Sequence, residues 1–343
     1  MNVVLASDDN YVPLLTISIV SFLENNQNDF DEINVFILND GITNQNIERI
    51  KSILNKYDCN LSFIKSKNIE NLNSKIVSLE RDNITSFTTY SRLFIASLIP
   101  NDIDKIIYLD CDILIVDSVK QLWDEDISDY YCAAVLDCCN TTVQEMLGIS
   151  EEDNYINAGA LYINLKKWRE DNVEEKFIEF ILNNSNRYYQ HDQGILNHTF
   201  KNRIKIISPK YNLQGYFQYM SYEVSKKFSG IDYEYYSKEI VDQARENPVF
   251  LHFCGANFFR PWQNEKHPYA NLYRRYAKLA DFESVLDSSA NFNNKQKLFQ
   301  NLSENKIGDF ILGLTPYFLV KKVININVVK EMEMEFEKAK QNN

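Results

Sequence analysis

Ile106-Ile107-Tyr108-Leu109-Asp110-Cys111-Asp112-Ile113-Leu114-Ile115-Val116 is the stretch from which the fold of this chain can be read. Ile106 to Leu109 run without a polar break, as in a strand covered on both faces by helices. The run then meets Asp110 and Asp112. Side chains of an extended segment alternate, so residues two apart point the same way, and the spacing predicts two carboxylates side by side at the carboxyl end of a buried strand. Two such anions repel and raise each other's pKa unless a cation lies between them. A divalent ion is the simplest cation that fits. Hard oxygen ligands suit Mg²⁺ or Mn²⁺, and in open α/β sheets the ligand crevice lies beyond the carboxyl ends of the strands. Asp-x-Asp triplets are common in solvated loops, and the apolar strand ahead of this one is what distinguishes it.

Upstream, Val3 to Ala6 is a short apolar run that ends in Ser7-Asp8-Asp9-Asn10-Tyr11, and Pro13 can open a helix to about Glu24. Ile33 to Leu38 is a second strand, followed by a helix over Asn44 to Tyr57 with Ile47, Ile50, Ile53 and Leu54 on one face. Leu61 to Ile64 gives a third strand. This alternation predicts a parallel sheet with right-handed crossovers, an α/β doubly wound, Rossmann-like fold. Thr88 to Phe94 reads as a helix leading to Pro100. Downstream, Cys132 to Leu136 is apolar and ends in Asp137, and Asn157 to Asn164 looks like a turn entering a further strand. Lys167 to Leu182 has helical spacing, Tyr188 to Leu196 reads as a loop entering a helix, and Val249 to Phe253 is a late strand carrying His252 ahead of a Gly255 to Trp262 loop.

From about Asp281 the composition turns polar and Asn-rich, which divides the chain into one α/β domain over residues 1–280 and a small helical extension over 281–343. Within the extension, Phe310 to Val320 is apolar but only 11 residues long and broken by Gly313 and Pro316, too short to span a bilayer. With Lys321 and Lys322 behind it, the segment suits peripheral docking on a membrane surface or a partner, or packing on the main domain.

A hydrophobic fraction of 45% with 21 Tyr and 21 Phe builds a substantial core and excludes wholesale disorder. The net charge of −12 argues against nucleic acid as a partner, because phosphate-backbone binders present a basic face. It leaves room for an anionic small molecule held through a metal. Gly-x-Gly-x-x-Gly and the P-loop pattern are both absent, which weakens dinucleotide and P-loop readings. Met1 to Asp8 has no basic segment and is acidic within eight residues, so it does not read as a signal peptide and the chain is expected in the cytoplasm. Six cysteines lack zinc spacing, and the adjacent Cys138 and Cys139 speak against a disulfide framework. The Asn83-Ile84-Thr85 glycosylation triplet means nothing without secretion.

Several motifs stand in order along the chain: Ala6-Ser7-Asp8-Asp9-Asn10-Tyr11, Thr88 to Leu93, Tyr108 to Asp112, Asn157-Ala158-Gly159, His191-Asp192-Gln193, His252-Phe253-Cys254-Gly255 and Arg260-Pro261-Trp262. Each is weak alone. Together, over about residues 1 to 270, the chain resembles glycosyltransferase family 8, retaining sugar transferases that take in bacterial lipooligosaccharide galactosyltransferases and glycogenin. The resemblance implies a single nucleotide-sugar-binding domain of GT-A type. It further implies transfer of galactose or glucose from a UDP-hexose to a saccharide or glycoconjugate acceptor, with Mn²⁺ as cofactor and Mg²⁺ as the substitute. Asp110, Asp112 and His252 would hold the ion against the donor diphosphate, although a lone histidine on a strand is more often a satisfied core residue.

The same resemblance assigns the donor pocket to Ala6, Asp8, Asn10, Tyr11, Arg92, Cys111, Asn157, Ala158, Gly255 and Arg260. Asp8 and Asn10 would meet uracil and ribose, against the plainer reading that they cap a helix. Arg92 would meet donor sugar or phosphate, against a surface ion pair. The family's Lys-Pro-Trp is here Arg260-Pro261-Trp262 with two extra residues before it, and Arg keeps the charge and the capacity for bidentate phosphate binding. At Gly255 a Cβ would obstruct the approach of backbone to diphosphate. The catalytic assignments are Gln193, near the anomeric carbon, with Asp192 and Asp137 orienting hydroxyls alongside Asn157. Asp192 stays a rival nucleophile, and an N-cap is the plain reading of Asp192-Gln193. Two rival functions remain at this point. One is a haloacid-dehalogenase-type phosphatase with Asp110 as nucleophile, which the Leu114 position and the lateness of the strand disfavour. The other is a non-catalytic UDP-sugar-binding module.

Overall fold

The computed structural model describes residues 1–65, 87–138, 144–145, 147–150, 153–183, 191–229, 231, 235–255, 257–286, 297, 301–302 and 306–314. Ten strands are described there: β1 (Asn2–Ser7), β2 (Asn34–Asn39), β3 (Asn60–Lys65), β4 (Lys105–Leu109), β5 (Ile113–Ile115), β6 (Cys132–Leu136), β7 (Ile156–Asn164), β8 (Ile204–Ile206), β9 (Leu213–Gln214) and β10 (Phe250–His252). Seven form the main sheet in the order β3-β2-β1-β4-β7-β6-β8, and β5-β10-β9 form a second, three-stranded sheet. All pairings in the main sheet are parallel except those of β7, which runs against β4 and β6. The doubly wound, mostly parallel α/β architecture read from the sequence is the one observed.

Alternation along the central strands sends side chains into two separate cores. Val3, Leu5, Ile107 and Leu109 face one, where Leu15, Ile19 and Phe22 of the helix α1 (Val12–Asn26) meet them. Val4, Ala6, Ile106 and Tyr108 face the other, against Leu93, Phe94, Trp168 and Phe177. Burying an aliphatic or aromatic side chain of this kind is worth about 1.5–3 kcal/mol, so a strand covered on both sides is held by every residue along it. Helix α2 (Asn44–Leu54) is capped by Thr43, whose hydroxyl accepts the Asn46 N–H at 3.3 Å.

The structure corrects four local readings. Ile106 to Val116 is two strands in different sheets: β4 stops at Leu109, and Asp110-Cys111-Asp112 is a turn in which the Ile113 N–H reaches the Asp110 carbonyl at 3.2 Å. The two carboxylates therefore converge through a turn, and strand alternation has no part in it. Lys167 to Leu182 is also two elements, Leu165–Glu170 and α3 (Val173–Asn183), because Asn172 takes a left-handed φ of 49° between them. Asparagine tolerates that region better than other side chains. Asn157-Ala158-Gly159 lies inside β7, where the register with β6 shifts between Ala134 and Leu136. Such irregularities re-aim side chains beside active sites. Asp192 and Gln193 lie within the first turn of a helix, α4 (His191–Phe200).

Helix α5 (Ala270–Leu279) closes the body, and Phe282 just beyond it is buried under the Arg49 guanidinium, 3.9 Å from the ring centroid. Helix Lys306–Leu314 packs on Tyr222–Ser229 and is tied by a Lys227 Nζ bond of 2.6 Å to the Gly313 carbonyl. That portion of the apolar segment is a packing helix with Leu312 inside and Ile311 and Leu314 exposed. Residues 315–322, Tyr188 to Gln190, Asn83 to Thr85 and Cys139 lie outside the described residues. The described cysteines, Cys59, Cys111, Cys132, Cys138 and Cys254, are free thiols.

His267 is a buried ring between Phe253, Tyr219 and Tyr269, with Nδ1 accepting the Tyr269 N–H at 3.2 Å. Burial pushes its pKa down to about 3. The unfolded chain protonates this ring near its ordinary value of about 6.5 and the folded chain does not, so folding stability is lost as pH falls below that value. Urea unfolding of wild type and His267→Phe between pH 7 and 4.5 is expected to show the wild type losing about 1.4 kcal/mol per pH unit more than the variant. Parallel curves would contradict this.

Candidate active site

β5 pairs antiparallel with β10, Ile113 opposite His252, so the turn that carries the acidic pair is brought against the histidine from far downstream. β5 itself is gripped from α1: Ser21 Oγ accepts the Ile115 N–H at 3.0 Å, and Asn25 Nδ2 donates to the Ile115 carbonyl at 3.1 Å. As a result Asp110, Asp112 and His252 each offer a ligand atom within 4.8 Å of the other two. His252 Nε2 is 3.3 Å from Asp112 Oδ1.

Arg92 is a buried cation beside the acidic turn. It lies 8% exposed on the 3-10 turn Arg92–Phe94, and so is not a surface ion pair. Its guanidinium donates to Asp110 Oδ1 at 2.8 Å and to the Ala158 carbonyl at 2.7 Å, while Nε forms an ion pair at 2.7 Å with Asp192 Oδ2. Burial raises Asp110 above the usual carboxylate range, Arg92 opposes that rise, and the Asp112 charge adds to it. For Asp112, burial is outweighed by the His252 ring and Arg260, and its pKa is lowered. Burial pushes Asp192 up to about 6 against the pull of Arg92.

The donor set fits a divalent ion. Two hard carboxylate oxygens beside one imidazole nitrogen suit Mn²⁺. Gly159 makes the close approach possible, since a Cβ there would lie 2.3 Å from His252 Cε1 and 3.0 Å from Asp110 Oδ2.

Around this centre a hydrogen-bonded group gathers the catalytic candidates. Gln193 Oε1 accepts the Ala158 N–H at 3.0 Å, and its Nε2 donates to Asp137 Oδ2 at 2.6 Å. Asn157 donates to Asp137 Oδ1 at 3.2 Å. Asp137 is raised by burial even though Asn157 and Gln193 hydrogen-bond to it. Asn197 holds α4 to β7 by exchanging two bonds with the Ile156 backbone, at 2.7 and 2.8 Å. Asp192 is 4% exposed, so the reading of an N-cap at the surface does not apply.

The nucleoside candidates sit at the same end of the sheet. Val4 is level with Tyr108 across β1 and β4, and the Cys111 thiol donates to the Ala6 carbonyl at 3.2 Å. Asp8 Oδ1 accepts the N–H groups of Asn10 and Tyr11 at 2.9 and 3.1 Å, which shapes the loop, while Tyr11 is exposed. Gly255 has φ +95°, a conformation suited to glycine, and the Arg260 charge is close enough to lower Asp112. A separate cavity of about 790 Å³, lined by Asp117, Lys120, Glu125, Lys205 and Lys210 among others, contains none of these residues.

Sequence reading missed Tyr108 as a partner of Asp110, 3.2 Å from its Oδ1, and missed Asn212, Gln214 and Tyr155. The signal for Asn212 and Gln214 was present as an apolar and polar alternation over Tyr211-Asn212-Leu213-Gln214.

A covered, mostly parallel sheet with an acidic pair and a histidine at its rim is the fold and site of a GT-A-like enzyme. Residues 2–266 match the profile of Glycosyl transferase family 8, and the chain belongs to that family. It is 29% identical over 295 residues to General stress protein A of Bacillus subtilis (strain 168), covering 85% of this chain and 98% of that protein. It is 28% identical over 328 residues to a lipopolysaccharide 1,2-glucosyltransferase of Escherichia coli, with coverage of 93% and 91%. Among solved structures it resembles the galactosyltransferase LgtC in complex with donor and acceptor sugar analogues, with a TM-score of 0.63, 25% identity and coverage of 87% and 99%. The protein is thus a transferase, and the phosphatase alternative falls. Asp110 Oδ1 is also occupied by Arg92 and Tyr108, which makes it a poor nucleophile. Among the described residues no helix is long and apolar enough to cross a membrane.

Gly159→Ala is expected to push the His252 ring away from the acidic pair and lower affinity for Mn²⁺ at least tenfold, the scale on which misoriented ligands cost binding. Titration calorimetry on folded variant reads this. An unchanged binding constant would mean that the ring does not ligate.

Proposed function

We propose that the chain is a metal-dependent retaining hexosyltransferase that moves galactose or glucose from a UDP-sugar to a saccharide or glycoconjugate acceptor. The observation that carries this reading is the convergence of Asp110, Asp112 and His252 within 4.8 Å beside the Gln193, Asp137 and Asn157 group. The names of the relatives, a glucosyltransferase and a galactosyltransferase, support a hexose and a glycan acceptor without choosing between the epimers.

Ala6, Asp8, Asn10, Tyr11 and Cys111 bind the nucleoside at the end of β1. Arg260 reaches the diphosphate, and Gly255 lets backbone approach it. Arg92, Asp192, Asn157 and Ala158 line the hexose side. Asp110, Asp112 and His252 would hold Mn²⁺, or Mg²⁺ in its place, and the ion would supply positive charge to the donor diphosphate. Gln193 is held with its oxygen at the Ala158 N–H and its amide nitrogen at Asp137, so its carboxamide is fixed before substrate arrives. That preorganisation suits a group that faces a developing oxocarbenium centre. In a front-face displacement the departing phosphate oxygen takes the proton of the incoming hydroxyl, so no protein base is required. Asp192 orients hydroxyls in this scheme, because its contact with Arg92 at 2.7 Å draws off the electron density that a nucleophile needs.

Residues 1–280 make up the catalytic unit in this proposal. Residues 281–343 form an extension that meets the inner membrane surface or a partner in a cytoplasmic, peripheral enzyme, consistent with the exposed Ile311 and Leu314.

Incubation with Mn²⁺ and a panel of UDP-hexoses is expected to release UDP from UDP-galactose or UDP-glucose, and chelation is expected to stop it. UDP binding without any release would support the non-catalytic module instead. Gln193→Ala is expected to cut transfer at least a hundredfold with donor binding retained, in line with the loss of one preorganised electrostatic group. Near-normal turnover would remove Gln193 from the mechanism.

A further inference from the structure

Which nitrogen of the His252 ring is committed to a protein acceptor can be worked out from Gly159, whose carbonyl accepts the Asp110 N–H at 2.8 Å. The Gly159 backbone N–H, which can only donate, points at Asn157 Oδ1 at 3.0 Å. That sets the Asn157 carboxamide, and its Nδ2 faces Asp137 Oδ1 at 3.2 Å. Asn212 approaches the same Asn157 Oδ1 at 2.9 Å and must donate there through Nδ2. Its own oxygen is then turned to His252 Nδ1, 2.9 Å away. An amide oxygen has no proton to give, so Nδ1 carries a hydrogen, and Nε2, which faces Asp112 Oδ1 at 3.3 Å, is the nitrogen left to exchange its proton for an ion.

We infer that Asn212 is a positioning residue of the metal site, which fixes the His252 tautomer and ring plane so that Nε2 is presented to the ion. The inference rests on the metal-dependent reading above. Asn212 is suited to this role. It is 1% exposed, Asn157 is 8% exposed and His252 is 4% exposed, so no solvent competes for the three bonds. It stands immediately before β9, which pairs in parallel with β10 and puts Gln214 opposite His252. Residues two apart on a strand share a face, so Asn212 and Gln214 work together. While Asn212 holds the ring, Gln214 donates to the Leu136 carbonyl at 2.8 Å and accepts the Cys138 N–H at 3.2 Å, which secures the end of β6 that bears Asp137. Gln218 closes the frame with a bond of 3.0 Å to the His252 carbonyl. One line of hydrogen bonds therefore runs from the ligating ring to the carboxylate that holds Gln193. An acceptor for the other ring N–H is the general means by which proteins orient ligating histidines and raise their basicity.

The test reads metal binding and the ring itself. Mn²⁺ titrated into wild type, Asn212→Leu and Asn212→Asp is expected to bind at least tenfold more weakly to the leucine variant. The aspartate variant, whose carboxylate still accepts from Nδ1–H, should recover most of that loss. The chain has four histidines, so ¹⁵N spectra of the Mg²⁺-loaded wild type resolve each ring, with His252→Ala assigning one. His252 should then show a protonated Nδ1 and a ligating Nε2. Equal Mn²⁺ affinity in wild type and leucine variant, or a proton on Nε2 in the loaded wild type, overturns the inference. If the leucine variant does not fold, the wild-type spectrum decides alone. Absence of divalent ion binding by wild type would instead strike at the proposed function.

Discussion

Mutual repulsion between Asp110 and Asp112 is the constraint on which the rest of the site depends. Two carboxylates in one short turn, half-buried and without solvent on all sides, are tolerated only while positive charge is supplied from elsewhere. Arg92 supplies it to one and His252 to the other, from elements separated from the turn by 18 and 140 residues of chain. The two acids are consequently unequal, Asp110 raised and Asp112 lowered, and neither cation lies between them. Asp110, Asp112 and His252 are thereby left with ligand atoms within 4.8 Å of one another, a set that could hold a divalent ion.

This constraint explains why the chain uses two sheets. The main sheet delivers β4 and stops it at Leu109, and the turn passes the backbone to β5, which belongs to a separate sheet with β10 and β9. The turn that holds the two mutually repelling acids thus joins the two sheets. Gly159 on the neighbouring strand leaves room for the histidine ring, and the irregular register of β7 brings Asn157 and Ala158 toward Gln193. Arg92 ties the acidic turn to the start of α4 by holding Asp110 and Asp192 at once.

Much of this was legible in the sequence where the relevant contacts are local. The first three strands and two helices follow from periodicity, and α1 is buried nearly all round, as its run of apolar residues indicates. The acidic pair, its histidine and the triplet Asn157-Ala158-Gly159 were visible as motifs. The reason the acids converge was not, because an unbroken apolar run on both sides of Asp110-Cys111-Asp112 reads as one strand and gives no sign of a change of sheet. Asn172 broke a helix that the spacing of Trp168, Val173 and Phe177 would continue, since a single left-handed residue leaves periodicity intact. Asn212 escaped notice because its partners are 40 and 55 residues distant and the strand it precedes, β9, is only two residues long.

The central claim is that an ion between Asp110, Asp112 and His252 carries the diphosphate of a sugar nucleotide. Diffraction from a crystal soaked with Mn²⁺ and UDP, recorded at the manganese absorption edge, tests it directly. The account predicts one anomalous peak within about 2.0–2.6 Å of an oxygen of each aspartate, of His252 Nε2 and of two diphosphate oxygens. UDP bound with no peak there, or a peak held by other residues, would contradict it.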